Sequence, residues 1–333
     1  MSSMAPGNGR LRGPVPTGWL LEGPAFVRYR TLMDILGCPS DDKEAREVRA
    51  QVAKEPIVRR LLERRNEYGY WGSPDDIFKW WPKKDTTFWV LGILADFGLT
   101  RGDWGIEKAC EYVLSTQLPS GAFGLRPPPA PYDCFTGVLV ADLARLGYSE
   151  DKRLERAYSW LSGRQRLDGG FWCKDTGQPG GSREQEPSCA LASLWVLLAL
   201  AVHPVLRDTE ACSKCAKFLL KCWTNRGRIK YAGHDSQIGS GWGKLKYPYT
   251  DYRILHYLDN LSRVPFARED PRVLEIAGQL LSKRDMHGRL QPESIHKAWS
   301  EFDFGQKRSP SRWLTCLAYG ALTRLGLRKS DDS

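Results

Sequence analysis

The chain has no apolar run long enough to span a bilayer. Its longest, residues 190–202 (ALASLWVLLALAV), falls short of the ~20 residues that a membrane helix requires and predicts a buried helix instead. The opening segment, MSSMAPGNGRLRGPVPTG, lacks the apolar core of a secretion signal, so residues 1–23 read as a flexible lead-in. The nine cysteines show no spacing of a disulfide framework, and a reducing cytoplasm is the expected setting. Strand-period alternation is absent. So is any stretch where basic and aromatic residues interleave as a nucleic-acid surface requires. The net charge of +10 is instead spread over helices (Arg46, Arg49, Arg59, Arg60, Arg64, Arg65) and loops. That reads first as a solvated basic surface. It permits an anionic partner, such as a diphosphate or a membrane face touched peripherally, and gives no reason to expect nucleic acid.

What is present is a repeat. The 333 residues, 41% of them hydrophobic, suit one large or two ordinary domains. Thirteen tryptophans are many for this length and point to aromatic-rich packing or an aromatic-lined cavity. Residues 156–172, RAYSWLSGRQRLDGGFW, read as the end of an amphipathic helix with Trp160 and Leu161 turned inward. A polar turn through Gln165, Asp168, Gly169 and Gly170 follows, and Phe171 and Trp172 close it. Paired glycines allow the reversal that such a turn needs. The same frame recurs in residues 108–124 (KACEYVLSTQLPSGAFG) and more loosely in 57–72. Residues 214–227 and 276–290 keep the helix and the glycine but lose the Gln and the final aromatic. Glycines 69, 121, 169, 227 and 288 thus recur at roughly 50 to 60 residues, the period of a two-helix unit.

Between the copies lie segments 24–36, 86–99, 133–146, 188–202, 251–261 and 311–325. Each is apolar nearly all round, which predicts buried helices, whereas the repeat-bearing helices keep Lys and Arg on one face. Inner and outer helices therefore alternate, six inner and about five outer, and closing them into a ring removes exposed ends. The predicted fold is all-α, an (α/α)6 toroid over residues 24–328 with a polar tail at 329–333. The long connections 172–186, 227–249 and 288–309 each lead from an outer helix to the start of an inner one. They gather at one rim, where function is usually carried.

The repeat resembles the QW motif of the squalene cyclase and prenyltransferase superfamily. Arg156, Ala157, Trp160, Leu161, Gln165, Gly169 and Phe171 fall on its frame, as do Lys108, Ala109, Tyr112, Val113, Gln117, Gly121 and Phe123. The resemblance covers residues 50–330, and the overall likeness is to small single-toroid bacterial proteins of that superfamily. It implies that the repeat is structural, with its Gln tying the turn to the next inner helix. The superfamily's cyclases also carry an acidic Asp-x-Asp-Asp-Thr-Ala motif. The matching stretch here is Pro82-Lys83-Lys84-Asp85-Thr86-Thr87, with Lys84 where the proton-donating Asp would stand. An ammonium is far too weak an acid to protonate an alkene. Its protein prenyltransferases hold zinc with an Asp-x-Cys and a later His. Here Pro187 precedes Cys189 in place of the Asp, and the next inner segment opens with Tyr249-Thr250-Asp251. Cys212 and Cys215 have metal-like spacing but fall on an outer helix with no His nearby. No cofactor is therefore expected, and zinc or magnesium is the weaker alternative.

The starts of inner helices should face a central funnel. Asp85, Asp133, Glu186 and Asp251 stand there as candidate catalytic carboxylates, and convergence would raise at least one pKa. Taken singly, an Asp before a helix is most simply an N-cap. Trp80, Trp81, Lys84, Phe88, Cys134, Phe135, Cys189, Trp242, Tyr249, Tyr252, Arg312 and Trp313 are candidate substrate-binding residues around the same mouth. Aromatic faces there would stabilise carbocations, and Lys83, Lys84, Lys174, Arg183, Lys244 and Lys246 could receive a diphosphate. The function expected is terpenoid cyclase-like or prenyltransferase-like chemistry on an isoprenoid. A non-catalytic toroid that binds an apolar ligand or a protein segment is the alternative. Carbohydrate chemistry enters by fold analogy alone.

Overall fold

The computed structural model describes residues 15–72, 86–125, 130–173, 187–229 and 239–327. Its helices are α1 (Thr17–Leu21), α2 (Ala25–Arg30, continued by a wider π-helical segment Thr31–Leu36), α3 (Lys43–Val52), α4 (Pro56–Glu63), α5 (Thr87–Asp96), α6 (Ile106–Ser115) and α7 (Asp133–Leu143). They continue as α8 (Lys152–Ser162), α9 (Ala190–Val202), α10 (Glu210–Asn225), α11 (Ile254–Leu261), α12 (Pro265–Arg268), α13 (Pro271–Leu281) and α14 (Arg312–Arg324).

Two kinds of helix alternate, and their sequences say why. In α9 every residue from Ala190 to Ala201 is buried, as expected of a helix that is apolar all round. In α8 only Leu154, Ala157, Tyr158 and Leu161 are buried, a single stripe at i, i+3, i+4 and i+7. The outer helices also carry defined starts. Asp42, Asp151 and Asp270 each accept a backbone N–H at the head of α3, α8 and α13, which satisfies a donor that the helix cannot.

Outer α3, α6, α8, α10 and α13 pack on inner α2, α5, α7, α9 and α11, respectively. The inner helices meet in order, α5 on α7, α7 on α9, α9 on α11 and α11 on α14. Helix α14 returns against α2 and its π-helical extension. Phe26 of α2 stacks on Phe97, just after α5, with ring centroids 4.0 Å apart, and so closes the circle. The chain is an α/α toroid with six inner helices and, among the described residues, five outer helices packed on them. The predicted inner segments match these helices closely. The exception is α11, which begins three residues after Asp251. Strand is confined, among the described residues, to a two-residue antiparallel pair, Gly124–Leu125 with Ala130–Pro131, and to one isolated bridge.

The repeat turns are built as clamps, but not quite as expected. Gln165 Nε2 donates to Gly169 O at 2.9 Å and to Ala211 O at 2.8 Å. Gln117 Nε2 donates to Gly121 O at 2.8 Å and to Arg153 O at 2.7 Å. Ala211 and Arg153 lie in the first turns of α10 and α8, so each Gln ties its turn to the next outer helix rather than the next inner one. The side chain starts at the end of an outer helix and reaches only its lateral neighbour. The inner link comes from the backbone after the turn. Phe123 N–H donates to Thr136 Oγ1, Phe171 N–H to Ser193 Oγ and Trp71 N–H to Thr87 Oγ1, each at 2.9 Å, and Leu290 N–H donates to Thr315 Oγ1 at 3.0 Å. A hydroxyl in the first turn of four inner helices thus receives the chain as it comes in. Gly169 adopts φ +87°, and a Cβ there would lie 2.6 Å from Lys214 O; only glycine fits. Gly227, in a copy that lacks the Gln and the aromatic, is not left-handed.

Candidate functional site

Trp80, Trp81, Lys83, Lys84, Asp85, Lys174, Arg183 and Glu186 lie outside the described residues. The other candidates fall into distinct clusters. Asp133, the first residue of α7, is fully buried. Its Oδ1 lies 3.1 Å from Arg164 Nε, and its Oδ2 accepts the Trp172 N–H at 3.1 Å. No side chain caps α7, so Asp133 is a cross-link between elements and not an N-cap. Arg164 also sits over the Trp160 ring at 5.0 Å. Arg164 and Trp172 both come from the repeat stretch, so the structural motif and the candidate carboxylate are contiguous. Beside it, Cys134 Sγ lies 3.3 Å from Cys173 Sγ. Cys189 caps α9, its Sγ accepting the Ala192 N–H at 3.4 Å.

Asp251 belongs to a second cluster. Arg253 grips it in a fork, with Nε and Nη2 each 2.6 Å from a carboxylate oxygen, and Lys246 Nζ is 3.7 Å away. Burial alone would raise this carboxyl, but the Arg253 fork and the nearby Lys246 hold it below the usual carboxylate range. Convergence was expected to raise at least one of the four carboxylates; at Asp251 the local guanidinium acts in the opposite direction. Asp251 does not cap α11 either. Thr250 Oγ1 lies 3.0 Å from His296 Nε2, and burial, with Lys246 adding to it, pushes the His296 imidazole down to about 3. Lys246 is buried, not part of a solvated rim, whereas Lys244 is exposed. His256 Nδ1 lies 3.0 Å from Asp251 O, and its ring stacks on Tyr249 at 4.6 Å. Thr250 and His296 were not legible as a pair, because 46 residues separate them and neither sits in a motif.

The candidate aromatics pack on one another. Phe88 meets Phe135 at 4.9 Å, and Trp195, which was not singled out, meets Phe88 at 5.9 Å. Trp242 stacks on Tyr252 at 4.6 Å. Trp313 meets Phe97 at 4.8 Å and Tyr247 at 5.8 Å. Tyr247 in turn meets Phe304 at 4.8 Å, so two rim loops send rings into the interior. Arg312 stands apart. It donates to Trp19 O at 2.9 Å and lies over the Trp19 ring, which ties it to α1.

A third polar group sits at the C-terminal ends of the inner helices and escaped the sequence reading. Arg145 pairs with Asp96 and, at 2.5 Å, with Asp142. Asp259 pairs with Arg324 and, at 3.0 Å, with Arg263. The Tyr247 hydroxyl donates to Asp96 Oδ2 at 2.5 Å. Burial pushes the Asp142 carboxyl up to about 7 against the pull of Arg145. The sequence signal was there in a weak form, as charged residues in the last turns of otherwise apolar helices.

Two concavities border none of the candidate residues. One of about 460 Å³ is edged by Tyr70, Lys108 and Tyr112, the other of about 300 Å³ by Arg60, Arg64 and Phe302. Among the described residues no group of three or more His, Cys, Asp or Glu is arranged to hold a metal ion. The zinc-like positions explain this: Cys189 serves as a helix cap, and Cys215 Sγ donates to Ser193 O at 3.4 Å inside the core. Among the same residues no helix is long and apolar enough to cross a membrane.

The helices and their packing order define an α/α toroid. The model of the squalene-hopene cyclase C-terminal domain family matches residues 76–265, more than half of the chain, and the chain belongs to that family. Among solved structures it is similar to a protein from Actinoplanes, 15% identical over 91% of this chain and 90% of that one, with a TM-score of 0.47. It is similar to the type II terpene cyclase MstE from Scytonema, 14% identical over 91% and 87%, TM-score 0.45. A polysaccharide lyase aligns at 13% identity over 94% of each chain, TM-score 0.47. Likenesses at this level do not choose among activities. Comparison with curated proteins gives no match.

Proposed function

We propose that the chain acts on an isoprenoid substrate as a terpenoid cyclase-like or prenyltransferase-like enzyme, with the hydrocarbon held against the aromatic interior of the ring. Membership of the squalene-hopene cyclase C-terminal domain family carries this reading. Within the matched span, Phe88, Phe135 and Trp195 offer ring faces and edges from three inner helices. Such faces stabilise carbocations through the ring quadrupole.

The roles of the carboxylates follow from their partners. Asp251 is held ionised by Arg253, so it would act as an electrostatic partner or as the base that accepts a terminating proton. Asp133, bound to Arg164, would be an electrostatic partner at the head of α7, with α9 between it and α11. The proton donor would be Asp85 or Glu186, since Lys84 is too weak an acid. The basic surface would bring the protein to membranes, where isoprenoids partition.

A second reading, a non-catalytic toroid that binds an apolar ligand or a protein segment, draws on one observation. Among the described residues, the two candidate carboxylates Asp133 and Asp251 are engaged by guanidinium groups, as they would be in a scaffold. Incubation with polyprenyl diphosphates, polyprenols and linear triterpenes, followed by product analysis, separates the two. Product from the native chain, lost in Asp85→Ala, supports catalysis. Thermal protection without product supports the binding toroid. Neither product nor protection excludes both.

A further inference from the structure

Cys134 and Cys173 bring two sulfurs into contact from separate elements, with Sγ atoms 3.3 Å apart. Cys134 is fixed in the first turn of α7, while Cys173 lies outside any helix or strand. Their neighbours hold the register, since the Trp172 N–H is bound to Asp133 Oδ2 at 3.1 Å and Phe171 bridges to Cys189. A disulfide bond is ~2.05 Å long, so closing it asks for a small movement, which the irregular segment at Cys173 can supply.

We propose that Cys134 and Cys173 form a reactive dithiol that a hydroperoxide oxidises to an intramolecular disulfide. Cys134 is also a candidate substrate-binding residue, but the oxidation does not depend on the isoprenoid reading. Cys173 reacts first: it is half-buried, whereas Cys134 is buried, and burial together with the Cys173 sulfur holds the Cys134 thiol well above its ordinary range. The Cys173 thiolate attacks one peroxide oxygen, forming an S–O bond and breaking the O–O bond, and hydroxide leaves. The Cys134 sulfur then attacks the Cys173 sulfenic sulfur, the S–S bond forms, and the S–O bond breaks. Overall, two thiols lose two electrons and two protons, and one hydrogen peroxide becomes two waters. The bond would fasten the chain that leaves the repeat turn to the head of α7, next to Asp133.

The test is treatment of the native chain with hydrogen peroxide, followed by thiol alkylation and peptide mapping. The expected result is loss of two of the nine thiols, a linked peptide pair that contains Cys134 and Cys173, full reversal by dithiothreitol and a raised Tm for the oxidised form. Cys173→Ser should abolish the link, and Cys38→Ser, which changes the other half-buried cysteine, should leave it. Retention of all nine thiols, a link between other cysteines, or Cys173 driven to sulfinic acid with Cys134 still alkylated would each overturn the proposal. The mapping on the native chain stands even if a variant at Cys134 does not fold.

Discussion

The Arg164 guanidinium lies 3.1 Å from the buried Asp133 carboxylate, so the turn that ends an outer helix also holds the first residue of an inner one. Asp133 is therefore part of the fold's frame before it is anything else. Removing it leaves a guanidinium that is only 15% exposed without this counter-charge.

Asp133→Ala should lower stability by about 3–5 kcal/mol, because a deeply placed charge loses its partner. Asp133→Asn, which keeps an acceptor for the Trp172 N–H, should cost less. Chemical denaturation of both variants checks the order. Equal stability of Asp133→Ala and the native chain would mean that the pair contributes nothing.

Gln165→Ala removes two hydrogen bonds, to Gly169 O and Ala211 O, and should cost about 1–2 kcal/mol. Ser193→Ala strands the Phe171 N–H inside the protein and should cost a similar amount. Melting curves report both losses, and any ligand affinity measured well below Tm should be unchanged in Gln165→Ala.

The glycines of the repeat should separate into two groups. Gly169→Ala forces an alanine into a left-handed conformation and against Lys214 O, so a loss of at least about 2 kcal/mol is expected. Gly227→Ala meets nothing within 4 Å and has no such conformation to hold. Its effect should stay within about 0.5 kcal/mol. Parallel denaturant titrations decide the contrast.

The pH dependence of stability should carry the mark of His296. Its folded-state pKa is pushed down to about 3, by burial first and by Lys246 next, with Arg253 adding to this and Asp251 opposing it. A value below the ~6.5 of an unfolded chain means that protons favour unfolding. The stability due to neutral His296 is whole above that unfolded value and is lost as pH falls toward 3, at up to about 1.4 kcal/mol per pH unit. His296→Gln should flatten that slope, as unfolding free energies measured at pH values of about 7, 6 and 5 would show.

The sequence carried much of the architecture, since helices that are apolar all round differ visibly from helices with one apolar stripe. Gln117 and Gln165, with their glycines, marked the turns because geometry there tolerates few residues. The clamps on the inner side were harder to see. Thr87, Thr136, Ser193 and Thr315 are ordinary residues whose role appears only when the chain returns to them. The candidate site was legible only in part by position, and not by chemistry. Asp133 is the first residue of its inner helix, Asp251 lies three residues before its own, and their guanidinium partners decide what they can do. Arg164 lies 31 positions from Asp133, a separation that no local pattern encodes. Tyr247 and Asp96, 151 positions apart, meet only because the ring closes.

Whether the aromatic interior receives an isoprenoid is decided by a crystal structure with a bound polyprenyl ligand. The expected electron density is hydrocarbon between the inner-helix faces, in contact with Phe88, Phe135 and Trp195, with its head group toward Asp133 or Asp251. A ligand seated only on the outer surface, with the Phe88–Phe135 contact still closed at 4.9 Å, would contradict it.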